Sequence, residues 1–575
     1  MSASIYPWED QTLRPSSLIA GDRDPPLDES TVGEVLQRAA RLWPDVEALV
    51  SAQQGQRYTF AELSRRVDEL AAGLLALGLV KGDRVGVWAP NCSEWTVTQL
   101  ATARIGLIQV NINPAYGLHE LAFTLNWVGV KALIAADAFK SSEYLAILES
   151  LAPEISSSSG GPLQAERLPN LRFAIKLGDT PRPGWLKFGQ LSAADGGVAQ
   201  AEALERIGRS LNCRDPINIQ FTSGTTGQPK GATLCHRNLV NNARFVGLSM
   251  GLCAGDRLCV PVPLYHCFGM VMSNLACLVH GATIVYPSMA FDPLAVLETV
   301  QREHCTGLQG VPTMFIAELE HPRFDEFDLR SLRGGIMAGS PCPVEVMRQV
   351  VERMHMREIT IAYGMTETSP VSFQSSTRDS LERRITTVGS IQPHLEAKVI
   401  DSEGRLLGRD EAGELCTRGY AVMLGYWDEP DKTAEAIDPQ GWMHTGDLAV
   451  IREDGYCKIV GRVKDLIIRG GENVYPREVE EFLFRHPHIQ DVTVVGVPDA
   501  RYGEEICAWI RIRAGKQLHE DEVRKFCRGQ IAHFKIPRYI AFVEEFPMTA
   551  TGKVQKYLIR EEMMRRNSVA KGHLA

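Results

Sequence analysis

The sequence predicts the α/β fold class, with a large N-terminal part of layered α/β subdomains and a small β-rich unit, followed by an α+β C-terminal domain. Three observations lead there. The chain of 575 residues is too long for one hydrophobic core at roughly 100 to 200 residues per domain. Helical periodicity alternates with short apolar runs as far as residue 380, the pattern of helices covering mainly parallel sheets. Beyond that point short strands and turns take over, and a separate set of helix and strand signals follows Lys464.

Taken in order, Thr59-Phe-Ala-Glu62 has the spacing of a capping box, and Leu63, Val67, Leu70, Leu74 and Leu77 then recur at helical intervals. Lys81-Gly-Asp-Arg84 turns this helix into the buried strand Val85-Gly-Val-Trp88. The alternation continues through residues 105–112, 130–135 and 217–221. Ser156-Ser-Ser-Ser-Gly-Gly-Pro162 reads as a flexible surface loop without chemistry, and Gly310-Val-Pro-Thr-Met-Phe315 as a further strand. Residues 395–400 and 413–417 supply strands of the β-rich unit. In the C-terminal unit the pattern predicts helices over 476–486 and 518–531 and strands over 492–497, 505–512 and 538–543. No internal repeat is apparent.

Composition narrows the functional classes. Hydrophobic content of 44% and charged content of 23% are those of a soluble globular protein, and no run approaches the roughly 20 apolar residues of a membrane span. The start, Met1-Ser-Ala-Ser-Ile-Tyr-Pro-Trp-Glu-Asp10, has neither a basic segment followed by an apolar one nor the Arg-rich, acid-poor character of a transit peptide, so a cytoplasmic location is expected. Thirteen cysteines form no Cys-x-x-Cys pair, and Cys259, Cys277 and Cys507 sit in apolar stretches, which predicts reduced core thiols rather than bridges or zinc. Cys235-His236 lacks further ligands nearby and reads as structural. A net charge of −9 without a long basic run argues against nucleic acid as a partner.

The densest chemical signal is Phe221-Thr-Ser-Gly-Thr-Thr-Gly-Gln-Pro-Lys230-Gly231. Glycines permit a tight backbone path lined with N–H groups, Ser223, Thr225 and Thr226 add hydroxyl donors, and Lys230 adds a mobile positive charge. The apolar run before it reads as the strand that delivers the loop. A nucleotide triphosphate site is expected here rather than a Gly/Ser/Thr-rich surface turn, yet the Gly-Lys-Ser/Thr of a Walker loop does not follow Gly224 at the required spacing, which excludes the kinase-like and GTPase-like loop.

That loop, Tyr363-Gly-Met-Thr-Glu367, Trp442-Met-His-Thr-Gly-Asp447, Gly461-Arg-Val-Lys-Asp465 and Thr551-Gly-Lys553, in this order and at these separations, resemble the adenylate-forming superfamily of acyl-CoA synthetases, luciferases and peptide-synthetase adenylation domains. The resemblance spans nearly the whole chain. It implies a two-step reaction in which a carboxylate attacks the α-phosphorus of ATP, and a thiol then displaces AMP from the acyl-adenylate. It also implies an AMP-binding domain over residues 1–463 and a mobile C-terminal domain over 464–575.

Roles follow from the resemblance residue by residue. Thr222, Ser223, Gly224, Thr225, Thr226, Gly227 and Lys230 would hold the phosphates. Glu367, beside Thr366, resembles the Mg²⁺ ligand, an oxygen donor suited to a hard cation. Gly339, Ser340, Pro341, Tyr363 and Gly364 resemble the adenine pocket. Asp447 resembles the acceptor of the ribose hydroxyls, with Arg462 nearby. Lys464 occupies the hinge position, and Gly470 and Gly471 would lie along the pantetheine channel. Lys553 resembles the catalytic lysine brought against the α-phosphate as negative charge accumulates there.

Pro261-Val-Pro-Leu-Tyr-His-Cys-Phe-Gly-Met270 matches the segment that lines the acid's approach, with His266 near the carboxylate. It contains no Asp or Glu to pair with a substrate ammonium, which favours an amine-free acid. Val271-Met-Ser-Asn-Leu-Ala-Cys277 and residues 310–315 would continue an apolar wall. The likeness is closest to the medium-chain fatty acyl-CoA synthetases, through Pro263-Leu-Tyr-His-Cys267, Gly413-Glu-Leu-Cys416 and Ile468-Arg-Gly-Gly-Glu-Asn-Val-Tyr-Pro476. Gly461-Arg-Val-Lys464 departs from the Asp-Arg-Lys-Lys of the long-chain pattern. Only a short charged tail follows Lys556, so free CoA is the expected acceptor. The implied reactants and cofactors are ATP, Mg²⁺, coenzyme A and a fatty acid, with no integral membrane segment and with a homodimer as one open assembly. Two rival readings stay open. One is an aryl-acid or other carboxylate CoA ligase, and the other is a nucleotide-binding regulatory protein without turnover, against which the presence of Lys553 and Glu367 speaks.

Overall fold

The computed structural model describes residues 15–158, 160–191, 197–222, 229–340, 342–499, 501–548 and 554–572. Among them, two mainly parallel sheets make up most of the chain. The first has eight strands, and its central run of Pro216–Thr222, Ile108–Asn111, Arg84–Trp88, Val130–Ala135 and Phe173–Lys176 is parallel throughout. The second has nine, six of them parallel in the order Glu358–Gly364, Gly334–Ala338, Gly307–Gly310, Arg257–Cys259, Thr283–Tyr286 and Glu47–Ser51. Helices cover parallel sheets on both faces, so their strands are buried along their length and read as continuous apolar runs.

Helix Phe60–Ala76 starts at Thr59 with a reciprocal capping box: the Glu62 N–H donates to Thr59 Oγ1 at 3.2 Å, and the Thr59 N–H donates to the Glu62 carboxylate at 2.8 Å. Helices Ser93–Arg104 and His236–Met250 contact both sheets. One apolar cluster runs through them from Val85 and Ala132 of the first sheet to Leu258 and Ile284 of the second. Because nearly every face of Ser93–Arg104 is buried, its sequence carries no single apolar stripe.

A third sheet is antiparallel, built from Leu395–Ile400, Ala412–Gly419, Met443–Ile451 and Cys457–Arg462 and edged by Ile19–Ala20. A fourth contains Ile467–Arg469, Glu472–Val474, Ile489–Asp499, Gly503–Ile512 and Tyr539–Phe542, with helix Pro476–Leu483 packed through Val479 and Leu483 against Val494 and Ile506. No disulfide joins any of the thirteen cysteines, all of which lie among the described residues. No helix among the described residues is long and apolar enough to cross a membrane.

Three expectations are corrected. The strand expected over 310–315 ends at Gly310, and helix Pro312–Leu319 takes over, because Pro312 at its first position has the φ of a helix and needs no hydrogen-bond acceptor. The loop expected at 156–162 begins inside the 3₁₀ turn Pro153–Ser157, which is anchored by fully buried Ile155. The two C-terminal helices are shorter than their periodicity suggested, Pro476–Leu483 and Glu520–Cys527.

Cys235-His236 is structural, as expected. The His236 ring is fully buried and its Nδ1 accepts the Val32 N–H at 3.0 Å, so the neutral ring carries its proton on Nε2. Burial lowers its pKa to about 3. The unfolded chain therefore binds a proton below pH ~6.5 that the native chain refuses until about pH 3, and stability falls as pH drops through that window. Urea unfolding is expected to show a contribution about 1.4 kcal/mol smaller at about pH 5.5 than at about pH 8, removed in His236→Gln, which keeps an acceptor. The same pH dependence in both proteins would contradict this.

Candidate active site

Strand Pro216–Thr222, which leads into the expected phosphate loop, forms a hairpin with Lys230–Cys235, and Thr222 pairs with Lys230, so the two ends of the loop lie side by side. Strand Gly425–Tyr426 adds to the outer edge of this hairpin. There the Tyr426 ring lies beneath Lys230, whose Nζ is 4.8 Å from the ring centroid.

Glu367 occupies the 3₁₀ turn Thr366–Thr368, directly after strand Glu358–Gly364 of the second sheet. Its carboxylate is buried and joins the two sheets: Oε1 accepts the Thr222 hydroxyl at 3.2 Å and the Tyr426 hydroxyl at 2.9 Å. The turn is clamped around it. The Met423 N–H donates to the Glu367 carbonyl at 2.9 Å, and the Ser369 hydroxyl donates to the Ala421 carbonyl at 2.6 Å. Gly364 permits the strand's close return, since a Cβ there would stand 1.8 Å from the Pro370 carbonyl oxygen.

Asp447 comes from the third sheet. Gly446 takes a left-handed φ of +68°, and the pairing of strands Ala412–Gly419 and Met443–Ile451 is irregular here. Asp447 Oδ2 accepts the Tyr363 hydroxyl at 2.7 Å, and Oδ1 faces Arg462 Nε at 3.2 Å. Burial, and then the Asp447 carboxylate, push the Tyr363 phenol well above its ordinary value, and burial followed by Glu367 does the same to Tyr426. Both phenols are therefore donors at neutral pH, each fixing one carboxylate.

Amides position residues 261–270, the segment expected to line the acid's approach. Asn91 brackets it, donating to the Val262 carbonyl and accepting the Leu264 N–H, both at 2.9 Å. Asn111 Nδ2 donates to the Tyr265 carbonyl at 2.9 Å, while its Oδ1 accepts from Gln109 and Asn218 on the central strands. His266 Nδ1 accepts the Phe268 N–H at 3.1 Å, which leaves the proton of a neutral ring on Nε2. The helix begun there continues as the buried π-helix Met270–Leu275, a rare form that is frequent at functional sites. Cys267 Sγ lies 3.9 Å from Thr366 Oγ1, which sets this segment against the turn that holds Glu367. Gly339, at φ +90°, ends strand Gly334–Ala338, and a Cβ on it would reach Val311 at 3.1 Å.

Thr222, Lys230, His266, Thr366, Glu367, Tyr363, Gly364, Asp447 and Arg462 are thus brought to one junction of three sheets. Lys464 is exposed in the turn Val463–Asp465. Gly470 and Gly471 turn the hairpin between Ile467–Arg469 and Glu472–Val474 with φ of +59° and +88°. These three belong to the turn and sheet that follow Arg462. Ser223, Gly224, Thr225, Thr226, Gly227, Pro341 and Lys553 lie outside the described residues. Sequence reasoning missed Tyr426, whose only signal was an aromatic hydroxyl after a glycine, within Leu424-Gly-Tyr-Trp427.

The family model "AMP-binding enzyme" matches residues 36–427, and the model "AMP-binding enzyme C-terminal domain" matches residues 478–553. The medium-chain acyl-CoA ligase ACSF2, mitochondrial, of Mus musculus is 48% identical over 552 residues, covering 95% of this chain and 90% of that protein. Among solved structures, the anthranilate CoA ligase AuaEII in complex with anthranoyl-AMP has a TM-score of 0.82 at 26% identity, covering 95% of this chain and 99% of its own. ATP-bound MatB from Rhodopseudomonas palustris has a TM-score of 0.78 at 30% identity, covering 92% and 98%. With a family model over more than half of its length and a near-complete relative at this identity, the chain belongs to the AMP-binding enzyme family.

Proposed function

We propose that the chain activates a fatty acid of medium length in two steps. The acid's carboxylate oxygen attacks the α-phosphorus of ATP, the bond to the bridging oxygen breaks, and pyrophosphate leaves the acyl-adenylate. The CoA thiol, losing its proton, then attacks the acyl carbon and expels AMP.

The observation that carries this reading is the contact of Cys267 with Thr366, beside the hydrogen bond of Thr222 to Glu367. It sets an acid segment without a carboxylate of its own next to the strand that feeds the phosphate loop. The medium-chain choice is supported by the likeness to the medium-chain acyl-CoA ligase of Mus musculus, and by the buried, largely apolar π-helix behind His266.

Asp447, held from both sides by Tyr363 and Arg462 before any nucleotide arrives, would accept the ribose hydroxyls without reorganising. Gly339, Ser340, Pro341, Tyr363 and Gly364 would form the adenine wall. The loop from Thr222 to Lys230 would bind the phosphates. A Mg²⁺ ion fits Glu367, whose buried carboxylate takes both hydroxyl donors on one oxygen beside the phosphate strand, and the ion would neutralise phosphate charge when bound. Residues 464–575 would turn about Lys464 between the two steps, bringing first Lys553 and then the Gly470-Gly471 hairpin to the reacting centre. A cytoplasmic location and a homodimer belong to the same reading. Thirteen cysteines without a disulfide suit a reducing compartment, and cell fractionation and sedimentation velocity measure the two.

Lys464→Pro, which fixes φ at the hinge, is expected to leave adenylation within about twofold and to slow thioester formation by about tenfold or more. Unchanged thioester rates would remove the hinge assignment. The function itself is tested with purified protein, Mg²⁺, ATP and a panel of acids. Octanoate should support pyrophosphate exchange and CoA-dependent AMP release. Preference for benzoate would move the reading to an aryl-acid ligase, and no acid-dependent exchange at all would overturn it.

A further inference from the structure

Away from the Glu367 turn, three metal-ligating side chains meet on the antiparallel sheet. Glu414 and Cys416, two residues apart, share a face of strand Ala412–Gly419, and His444 on strand Met443–Ile451 pairs directly opposite Cys416. Glu414 pairs with Leu448, four residues beyond His444, so the neighbouring strand carries extra chain at 445–447. The resulting bulge leaves room for the Glu414 side chain to turn towards His444. His444 Nδ1 lies 3.2 Å from Glu414 Oε2 and 3.7 Å from Cys416 Sγ, and all three ligand atoms fall within 4.8 Å of one another.

Two of the three edges match those of a metal polyhedron, and the third, from Glu414 to Cys416, lies within 4.8 Å. With Zn–S near ~2.3 Å and Zn–N and Zn–O near ~2.0 Å, tetrahedral geometry sets N and O about 3.3 Å apart and N and S about 3.5 Å apart. Both observed edges agree to roughly 0.2 Å. Access is one-sided. Cys416 is fully buried with Ile400 and Trp442, whereas the Glu414 and His444 side chains are 25% and 32% exposed, open to an entering cation. Burial, and then the Glu414 carboxylate, push the Cys416 thiol up to about 12. Lys398, paired opposite Cys416, and Arg418, two residues on, both lie over the Trp442 ring, at 4.5 and 4.4 Å from its centroid, and Asp438 adds a further negative charge.

We propose that Glu414, Cys416 and His444 form a binding site for Zn²⁺, with the carboxylate, thiolate and imidazole as three ligands and water as the fourth. Binding releases the thiol proton to solvent and involves no change of oxidation state. The site shares a turn with Asp447, because Glu414 Oε1 also accepts the Gly446 N–H at 3.1 Å. It does not depend on which acid is activated.

The test is a Co²⁺ titration of the full-length reduced protein, followed by displacement with Zn²⁺. One equivalent should produce a thiolate-to-cobalt charge-transfer band together with the intense visible bands of tetrahedral cobalt. Both should vanish on adding Zn²⁺, and both should be lost in Cys416→Ser and His444→Ala. Cys253→Ser, which removes an exposed thiol, should keep them. Circular dichroism checks each fold. Should Cys416→Ser fail to fold, Glu414→Gln, whose amide oxygen can still accept from Gly446, is expected to weaken cobalt binding at least about tenfold. The absence of a charge-transfer band in the unmodified protein, its survival in Cys416→Ser, or unchanged affinity in Glu414→Gln would each overturn the site.

Discussion

Glu367→Gln is expected to lower acid-dependent pyrophosphate exchange by about 10²- to 10³-fold, some 3 to 4 kcal/mol of activation barrier, with the fold intact. The amide has the volume of the carboxylate, and its oxygen can still accept from Thr222 and Tyr426, so the junction between the sheets keeps its geometry. What is lost is the negative charge that would hold the cation on the phosphates. Removing a buried carboxylate also removes a desolvation cost, so the thermal midpoint should stay level or rise. Exchange assays and melting curves with and without MgATP separate the two effects. A variant that keeps exchange within threefold of the unmodified protein would exclude Glu367 from the chemistry.

Lys553→Ala is expected to depress adenylation by about 10²- to 10³-fold and to leave transfer from preformed acyl-adenylate to CoA within a fewfold. The reasoning is electrostatic. An ammonium next to the α-phosphate stabilises charge that accumulates when the carboxylate attacks, whereas loss of AMP to the thiol places no such demand on it. Lys556, three residues on, is the internal control. Its ammonium is already committed, 2.8 Å from Glu480 Oε1 and 3.2 Å from the Val494 carbonyl at the start of helix Lys556–Gly572. Lys556→Ala should therefore loosen the C-terminal unit and slow both half-reactions alike. Equal losses in both half-reactions for Lys553→Ala would reduce it to the same structural class.

Much of the site was legible because its motifs are local. Strand Pro216–Thr222, the Thr366–Thr368 turn and the left-handed Gly446 before Asp447 each depend on a few neighbouring residues whose hydroxyls and glycines announce the backbone path. Tyr426 was not legible. It meets Glu367 across 59 residues of chain, and nothing in Leu424-Gly-Tyr-Trp427 says that this strand will edge the hairpin of Pro216–Thr222 and Lys230–Cys235. The apolar stretch at 310–315 was misread for a different reason. Short apolar runs fit a buried strand or a buried helix equally, and Pro312 at the first helical position decided it.

Cys416 marks the same limit from the other side. Scattered cysteines without paired spacing argued against zinc, and that argument holds for ligands close in sequence. It cannot see a histidine 28 residues away that strand pairing sets opposite the thiol.

The sequence by itself determined the fold class, the capping box at Thr59 and Glu62, the buried strand at 85–88 and the chemistry offered by each motif. These follow from side-chain periodicity and from backbone preferences that act over a few residues. Only the tertiary structure decided which offers meet, as with Tyr363 and Asp447 across 84 residues or Cys267 and Thr366 across 99. Strand order and register make those encounters. They are set by how whole faces pack together, which no local spacing encodes.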